Sequence, residues 1–266
     1  MPALLDAIHA HEASPTVTLP PIPTVLPLAH LCDSREFPGH VDSFAISPEH
    51  CDFLKESLVY LYYGGLFFRR SSKPEKRAAM YPVGFLFAAE SLRDIEACFP
   101  FDTGALAFDF YGNVEGINSK WQECKVEVGG DTSIPARLVQ YLYGTNRRYL
   151  KGQVSGICSV LPDPFPWLIS FLRSVNTSQG SDQRQYRIEC ITKQRVPLSN
   201  VIWVGYPDMY ASAFARLFQA RSASKGSNPP ERWTYDAYAA ARPAEMAAVL
   251  QQAALGFLRG KMDSTV

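Results

Sequence analysis

Short apolar runs, separated by polar or glycine- and proline-containing stretches, are the feature that most limits how this chain can fold. None of the runs reaches the roughly 18 consecutive apolar residues of a transmembrane helix. Yet 47% of the 266 residues are hydrophobic, which is enough to build a large core. Runs of this length with turn residues between them are typical of strands alternating with helices. We therefore predict a single α+β domain with a central mixed or antiparallel sheet and a C-terminal helix.

The individual elements are predicted from periodicity and from helix and turn signals. Ser47-Pro48 precedes apolar positions at helical spacing, and Gly64-Gly65 follows them, so a helix is predicted over 48–62. Further helices are predicted at 91–97, 135–143 and 164–174. Strands are predicted at 66–69, 81–88, 105–111, 123–128, 154–160, 186–192 and 201–206.

The two ends of the chain differ in composition from its middle. Proline punctuates residues 14–27, which excludes a regular helix there and predicts an extended N-terminal arm over 1–25. Residues 222–266 hold a loop and then an alanine-rich stretch, which predicts a helix over 235–258 that is interrupted near Pro243. The α+β domain itself is therefore predicted to span 26–221.

Charge and cysteine spacing narrow the classes of function. Lys+Arg and Asp+Glu both number 26, so a zero net charge gives no global attraction to nucleic acid or to an anionic membrane. The six cysteines are scattered without a Cys-x-x-Cys pair, and the N-terminus does not have the pattern of a secretory signal. We therefore predict free thiols and a cytoplasmic location. No histidine has zinc-ligand spacing to partners on both sides, so no metal is expected.

Asp102-Thr103-Gly104 has the letters of the aspartic peptidase active site, in which two such aspartates share a proton. The chain has no second Asp-Thr-Gly or Asp-Ser-Gly, and Pro100 interrupts the apolar run before Asp102. The alternative is a turn in which the Asp102 carboxylate bonds to nearby backbone. We favour the turn and keep a hydrolase as an alternative function.

His30 and Cys32 form another candidate pair. Residues i and i+2 of a strand share a face, so this imidazole and thiol could approach as a cysteine nucleophile and its base do. The sequence around Cys32 does not resemble a cysteine-peptidase signature, and a free cysteine is more often simply buried. We therefore do not favour a catalytic cysteine.

Three separated segments carry the constellation with the clearest chemistry. The first is Leu-Ala-His-Leu-Cys-Asp-Ser over 28–34, with His30 near the end of a strand. The second is the aromatic stretch Tyr-Leu-Tyr-Tyr-Gly-Gly over 60–65. The third is Tyr-Arg-Ile-Glu-Cys-Ile-Thr over 186–192, followed by Val-Pro-Leu-Ser-Asn-Val-Ile-Trp-Val. Because side chains alternate along a strand, Glu189 is predicted on a polar face, where a carboxylate must be solvated or used.

In their order and in part of their letters, these segments resemble the ADP-ribosyltransferase superfamily, and more narrowly the DarT-type DNA ADP-ribosyltransferases. The resemblance spans residues 26–206 in outline. It implies a split sheet, NAD as the substrate, no metal, and transfer of ADP-ribose to nucleic acid or protein by a toxin or defence effector. It also implies that Glu189 is catalytic and that His30, Tyr60 and Tyr63 bind NAD.

One position departs from the family pattern. Where similar proteins carry an arginine in a Tyr-Gly-Arg-Pro-like phrase, this chain has Gly65. The NAD pyrophosphate carries two negative charges, so we expect another cation to bind it. We prefer Arg69 to Arg70 because Arg69 is closer to the glycine pair. The missing arginine also leaves open a non-catalytic interaction protein on the same fold.

Overall fold

The fold is described from a computed structural model of the chain. The structure describes residues 4–13, 19–66, 81–107, 111, 120–154, 165–174, 186–215, 218, 229–237 and 243–263. These residues form a mixed α+β structure with a long C-terminal helix, which confirms the predicted class. Within these ranges, no helix combines the length and the apolarity that crossing a membrane requires.

Most of the elements are short. The strands are β1 (Leu28–Asp33), β2 (Ala45–Ile46), β3 (Glu49–Cys51), β4 (Glu56–Tyr63), β5 (Pro82–Phe87), β6 (Ala97–Phe99), β7 (Val126–Glu127), β8 (Glu189–Thr192), β9 (Val196–Pro197), β10 (Val201–Pro207) and β11 (Glu231–Tyr235). The helices are α1 (Leu4–Glu12), α2 (Phe37–Ser43), α3 (Thr103–Ala107), α4 (Ile134–Tyr143), α5 (Asn146–Leu150), α6 (Pro166–Ser174) and α7 (Pro243–Asp263). Single 3₁₀ turns occur at Ala89–Asp94, Trp121–Cys124, Leu198–Asn200 and Asp208–Tyr210.

The chain divides into two compact units, each assembled from separate stretches of sequence. The first unit comprises Met1–Leu26, Cys51–Lys55 and Leu92–Thr192. The second unit comprises Pro27–His50, Glu56–Ser91 and Lys193–Val266.

The second unit is built on a sheet with the strand order β11-β10-β5-β1-β4. Its pairings are antiparallel except for β10 with β11, so the sheet is mixed. One face is covered by α2, whose Phe37 ring stacks on Phe214 at 5.3 Å and on Tyr206 at 6.0 Å. On the other face α7 packs against β5 and β10, and its Phe257 ring lies 6.5 Å from Trp203. Apolar side chains on both faces explain why β5 is buried along its whole length.

Gly205 on β10 allows the close approach of α7 to the sheet. A Cβ atom at this position would lie 2.5 Å from Trp203 Cη2 and would also overlap the Leu250 side chain. We expect Gly205→Ala to lower the free energy of unfolding by about 1–3 kcal/mol, the usual cost of overpacking a core. Urea unfolding measures this change. Gly39→Ala is the matched control because a Cβ there meets nothing within 4 Å; equal stability of the two variants would contradict the prediction.

The first unit contains a smaller antiparallel sheet with the order β8-β6-β7. Cys98 of β6 is paired with Cys190 of β8, and Phe99 is paired with Glu189. The extended segment 19–27, part of the predicted N-terminal arm, has no helix or strand. It is held by two side-chain amides: Gln140 donates to the Pro20 carbonyl, and Asn146 donates to the Thr24 carbonyl at 2.7 Å.

Two predicted elements are wrong. Residues 48–62 are not a helix but β3, a turn and β4, because Lys55 takes a positive φ of 59° and the following residues pair with β1. The strand predicted at 105–111 is wrong because its first residues, 105–107, belong to the helix α3. The Asp102 carboxylate accepts a hydrogen bond from the Ala105 N–H at 2.8 Å and thereby caps α3.

Other predicted elements are found with different bounds. The helices predicted at 135–143 and 164–174 are confirmed as α4 and α6, and the strand predicted at 201–206 is confirmed as β10. The 91–97 helix is only a 3₁₀ turn, and the 123–128 strand is reduced to β7. Pro243 does not interrupt the C-terminal helix but begins it, as its fixed φ suits a first helical turn. The strands predicted at 66–69 and 154–160 fall almost entirely outside the described residues.

Candidate functional site

Two of the three segments singled out in the sequence are neighbouring strands in the second unit. β1 pairs antiparallel with β4, in the register Leu28 with Tyr63 and Ala29 with Tyr62. The His30 Nδ1 atom lies 3.0 Å from the Tyr60 carbonyl oxygen. A carbonyl can only accept, so Nδ1 carries a proton, and in the neutral ring Nε2 therefore carries the lone pair. The backbone of the tyrosine segment therefore sets the tautomer of His30.

The register decides which tyrosine shares a sheet face with His30. Residues opposite each other in an antiparallel pair lie on the same face, so Tyr63 is on the face of Leu28 and His30. Tyr60 and Tyr62 are on the other face, because side chains alternate along β4. Tyr63 is fully buried and Tyr60 is half-buried. Tyr63 therefore shares the sheet face of His30, whereas Tyr60 does not.

The same face of β1 carries Cys32, as the strand alternation predicted, and α2 brings His40 beside it. One ligand atom from each of His30, Cys32 and His40 lies within 4.8 Å of the others. The two imidazole rings meet edge to face, with centroids 6.0 Å apart. Sequence reasoning missed His40 because it approaches from a helix rather than from the strand. The only sequence signal is a His-x-Cys pair followed by a histidine eight residues later.

Glu189 opens β8 in the first unit, and its side chain is only 1% exposed. The predicted polar, partly exposed face is therefore wrong, because all four residues of β8 are buried. Glu189 Oε1 accepts from the Thr103 hydroxyl at 2.5 Å and from the Thr103 N–H at 3.3 Å. Burial raises the pKa of Glu189 well above its ordinary value, and the neighbouring Asp102 carboxyl raises it further. Hydrogen bonds from Thr103 oppose this rise without cancelling it.

Asp102 is a turn residue, as predicted. Its carboxylate caps α3 through Ala105, and its backbone carbonyl accepts from the Tyr111 hydroxyl at 2.8 Å. Like Glu189, it is only 1% exposed. The Asp-Thr-Gly sequence therefore lies at the start of a short helix beside Glu189. Its Asp102 carboxylate and Thr103 hydroxyl are both buried there.

The raised pKa of Glu189 makes stability depend on pH in a defined direction. The pKa of Glu189 in the folded protein lies above its value in the unfolded chain, which is about 4.3. Such a carboxyl contributes its full stabilisation at pH values below about 4.3, and this stabilisation is lost as the pH rises through the pKa of the folded state. Within this window we expect the wild type to lose about 1.4 kcal/mol per pH unit relative to Glu189→Gln, which has no such proton. Urea unfolding of both proteins over a pH series measures the difference, and parallel pH profiles would contradict the assignment.

The remaining predicted residues are placed as follows. His30 belongs to the second unit and Glu189 to the first, so a cleft that both line stays a prediction. Gly65 follows β4, after Gly64 with a positive φ of 77°. Arg69 and Arg70 lie outside the described residues. Among the residues that the structure describes, the cysteines at 32, 51, 98, 124 and 190 are not joined in disulfide bonds.

No protein-family model matches this chain, and no curated protein matches it either.

Proposed function

We propose that this protein is an NAD-dependent ADP-ribosyltransferase. The observation that carries the proposal is the pairing of β1 with β4, which brings the histidine segment and the aromatic segment together. These are two of the three segments on which the resemblance to ADP-ribosyltransferases rests. His30, with its tautomer set by the Tyr60 carbonyl, offers Nε2 as an acceptor for a ribose hydroxyl. Tyr63, which is fully buried, is the tyrosine on the same sheet face.

The proposed reaction breaks the bond between C1′ of the ribose and the nicotinamide nitrogen. The bonding electron pair leaves with nicotinamide, and C1′ passes through an oxocarbenium-like state. A nucleophilic atom of the acceptor then forms a bond to C1′ and gives up its proton to the Glu189 carboxylate. A carboxylate beside the ribose stabilises the positive charge, and Glu189 is the residue proposed for this role.

The raised pKa of Glu189 is compatible with this role. Its carboxyl is held by Thr103 and is shielded from water, so it is a preorganised group rather than a mobile surface side chain. The nicotinamide of NAD is a cationic ring, and an adjacent positive charge favours the ionised form of a carboxyl group. We therefore expect substrate binding itself to lower the pKa of Glu189 and to generate the carboxylate that the oxocarbenium needs.

The test is release of nicotinamide from NAD by the purified full chain, with and without nucleic acid or protein as acceptor. His30→Gln should slow the release, whereas His9→Gln, at an exposed position of α1, is the matched control. If the wild type neither binds nor cleaves NAD at millimolar concentration, the proposal fails. The chain is then better described as a non-catalytic interaction protein, as the glycine at position 65 also suggests. Binding of the NAD pyrophosphate by Arg69 is part of this proposal and stays a prediction.

A hydrolase is the second candidate, and one observation favours it. Asp102 and Glu189 are buried acids, and Asp102 raises the pKa of Glu189, as neighbouring carboxyls that share a proton do. Proteolysis at acidic pH that pepstatin inhibits would support this candidate over the transferase. Absence of such activity in a protein that consumes NAD would reject it.

A further inference from the structure

The cluster of His30, Cys32 and His40 has the composition and geometry of a transition-metal site. Two of the side chains come from one face of β1 and the third from α2, and one ligand atom from each lies within 4.8 Å of the others. All three belong to the second unit. We propose that His30, Cys32 and His40 bind a Zn²⁺ ion, leaving a fourth coordination position open to water or to another small ligand.

The ligand chemistry of the cluster selects the class of metal. Two imidazole nitrogens and one thiolate suit Zn²⁺, whereas Mg²⁺ and Ca²⁺ require oxygen ligands. Three protein ligands and an open position are the arrangement of a zinc site that can take an exogenous ligand. The same donor set also binds Cu²⁺, and more tightly than Zn²⁺ by the usual order of divalent metal affinities, so competition between the two ions does not identify the resident metal.

His30 is prepared for metal binding by a contact outside the cluster. Metal-bound histidines usually donate their other ring N–H to a carbonyl or a carboxylate, which fixes the ring and its tautomer. The Nδ1 of His30 makes this contact with the Tyr60 carbonyl oxygen at 3.0 Å. The nitrogen that bears the lone pair is therefore Nε2.

His40 has a buried atom that a metal would satisfy. Its Nε2 is inaccessible to water and has no hydrogen-bond partner among the residues that the structure describes. Leaving such an atom buried and unsatisfied costs free energy, which a bound metal ion would recover.

The distances fit a site that closes slightly around its ion. Tetrahedral zinc with bonds of about 2.0–2.3 Å places its ligand atoms roughly 3.5 Å apart. Ligand atoms that lie within 4.8 Å of one another can reach this spacing through side-chain rotation. Cys32 is buried, so the thiolate–metal bond would be shielded from water. The proposed site departs from our sequence-based expectation of no metal because a His-x-Cys pair followed by one histidine eight residues later does not match the usual zinc-ligand spacings.

The experiment uses the full chain freed of metal by a chelator and titrated with Co²⁺, in the absence of NAD. We expect one Co²⁺ per chain, with a near-ultraviolet thiolate-to-cobalt charge-transfer band and the intense visible bands of four-coordinate cobalt. One equivalent of Zn²⁺ should displace the Co²⁺ and abolish these bands. Cys32→Ser should lose the charge-transfer band, and His40→Ala should weaken binding at least tenfold. Cys51→Ser and His50→Ala are the matched controls, because both residues lie outside the cluster.

Two results would overturn the proposal. One is the absence of stoichiometric Co²⁺ or Zn²⁺ binding by the folded wild type, and the other is a charge-transfer band that survives in Cys32→Ser. If a variant does not fold, X-ray absorption of the zinc-loaded wild type decides the matter, since it should show two nitrogen ligands and one sulfur ligand. Every readout is metal binding in the absence of NAD, so these outcomes do not depend on whether the protein consumes NAD. A metal ion on Nε2 of His30 would occupy the atom proposed above to accept from the ribose, so the metal-loaded form could not make that ribose contact.

Discussion

Replacement of Glu189 by glutamine is expected to reduce NAD turnover by about 100-fold or more while the fold stays intact. Removing one preorganised electrostatic group from an active site typically costs on the order of 10²–10³ in rate. The amide oxygen of glutamine can still accept from the Thr103 hydroxyl and N–H, so the local hydrogen bonds survive. The side chain is also nearly isosteric, which keeps the buried volume unchanged. The measurement is nicotinamide release at saturating NAD.

The matched control is Glu127→Gln, at an exposed position of β7 in the same unit. This variant loses an exposed ion pair with Lys125, which contributes at most about 1 kcal/mol to stability. Turnover that persists in a folded Glu189→Gln protein would remove Glu189 from the mechanism. Circular dichroism and urea unfolding of both variants establish that a loss of activity is not a loss of structure.

The second large effect is expected at Arg187, whose side chain is only 1% exposed. Its guanidinium donates to the carbonyls of Tyr149 and Leu150 at 3.0 and 3.1 Å, and lies 4.2 Å from the ring centroid of Tyr186. These contacts join α5 to the segment that leads into β8. Arg187→Met keeps much of the aliphatic stem but leaves the buried Tyr149 carbonyl and the partly buried Leu150 carbonyl without these donors. We expect a loss of about 3 kcal/mol or more in the free energy of unfolding, since each charge-assisted hydrogen bond is worth about 1.5–3 kcal/mol.

Urea unfolding measures this loss, and Arg93→Met, an exposed arginine of the same unit, serves as the control. Arg187→Lys should recover only part of the stability, because an ammonium cannot reproduce the planar fork that binds two carbonyls. An Arg187→Met protein as stable as the control would show that the buried guanidinium does not hold α5 in place.

The elements predicted correctly from the sequence are those whose own residues, through capping residues and apolar periodicity, favour the structure that they adopt in the fold. α4 has a proline at its start and a glycine after its end, and its apolar positions recur at helical spacing. β10 is a continuous apolar run between turn residues. The segment 48–62 was misjudged because its helical spacing is local, whereas the pairing of Tyr62 and Tyr63 with β1 is not. Pairing with residues 33 and 35 positions away along the chain cannot be detected in a window of about 15 residues.

The candidate site was predictable only in part, for the same reason. Alternation along β1 correctly placed His30 and Cys32 on one face, since this follows from backbone geometry alone. The approach of His40 depends on how α2 packs, and the burial of Glu189 depends on the position of α3. Even the capping role of Asp102 was predictable from its turn chemistry, whereas its influence on Glu189 required the pairing of β6 with β8. Local chemistry could be predicted, and contacts between distant segments could not.

The discontinuous make-up of the two units has a consequence for the synthesis of the chain. The polypeptide enters or leaves the first unit five times, and the strand that borders β5 on one side, β10, lies more than 110 residues after it. A nascent chain that has emerged only as far as Thr192 therefore presents β5 with one edge not yet covered by β10. Such edges recruit strands from other molecules, and long-range pairings form slowly. Fragments that end before Val201 are accordingly expected to aggregate rather than to fold, and the second unit can complete its sheet only after most of the protein has been made.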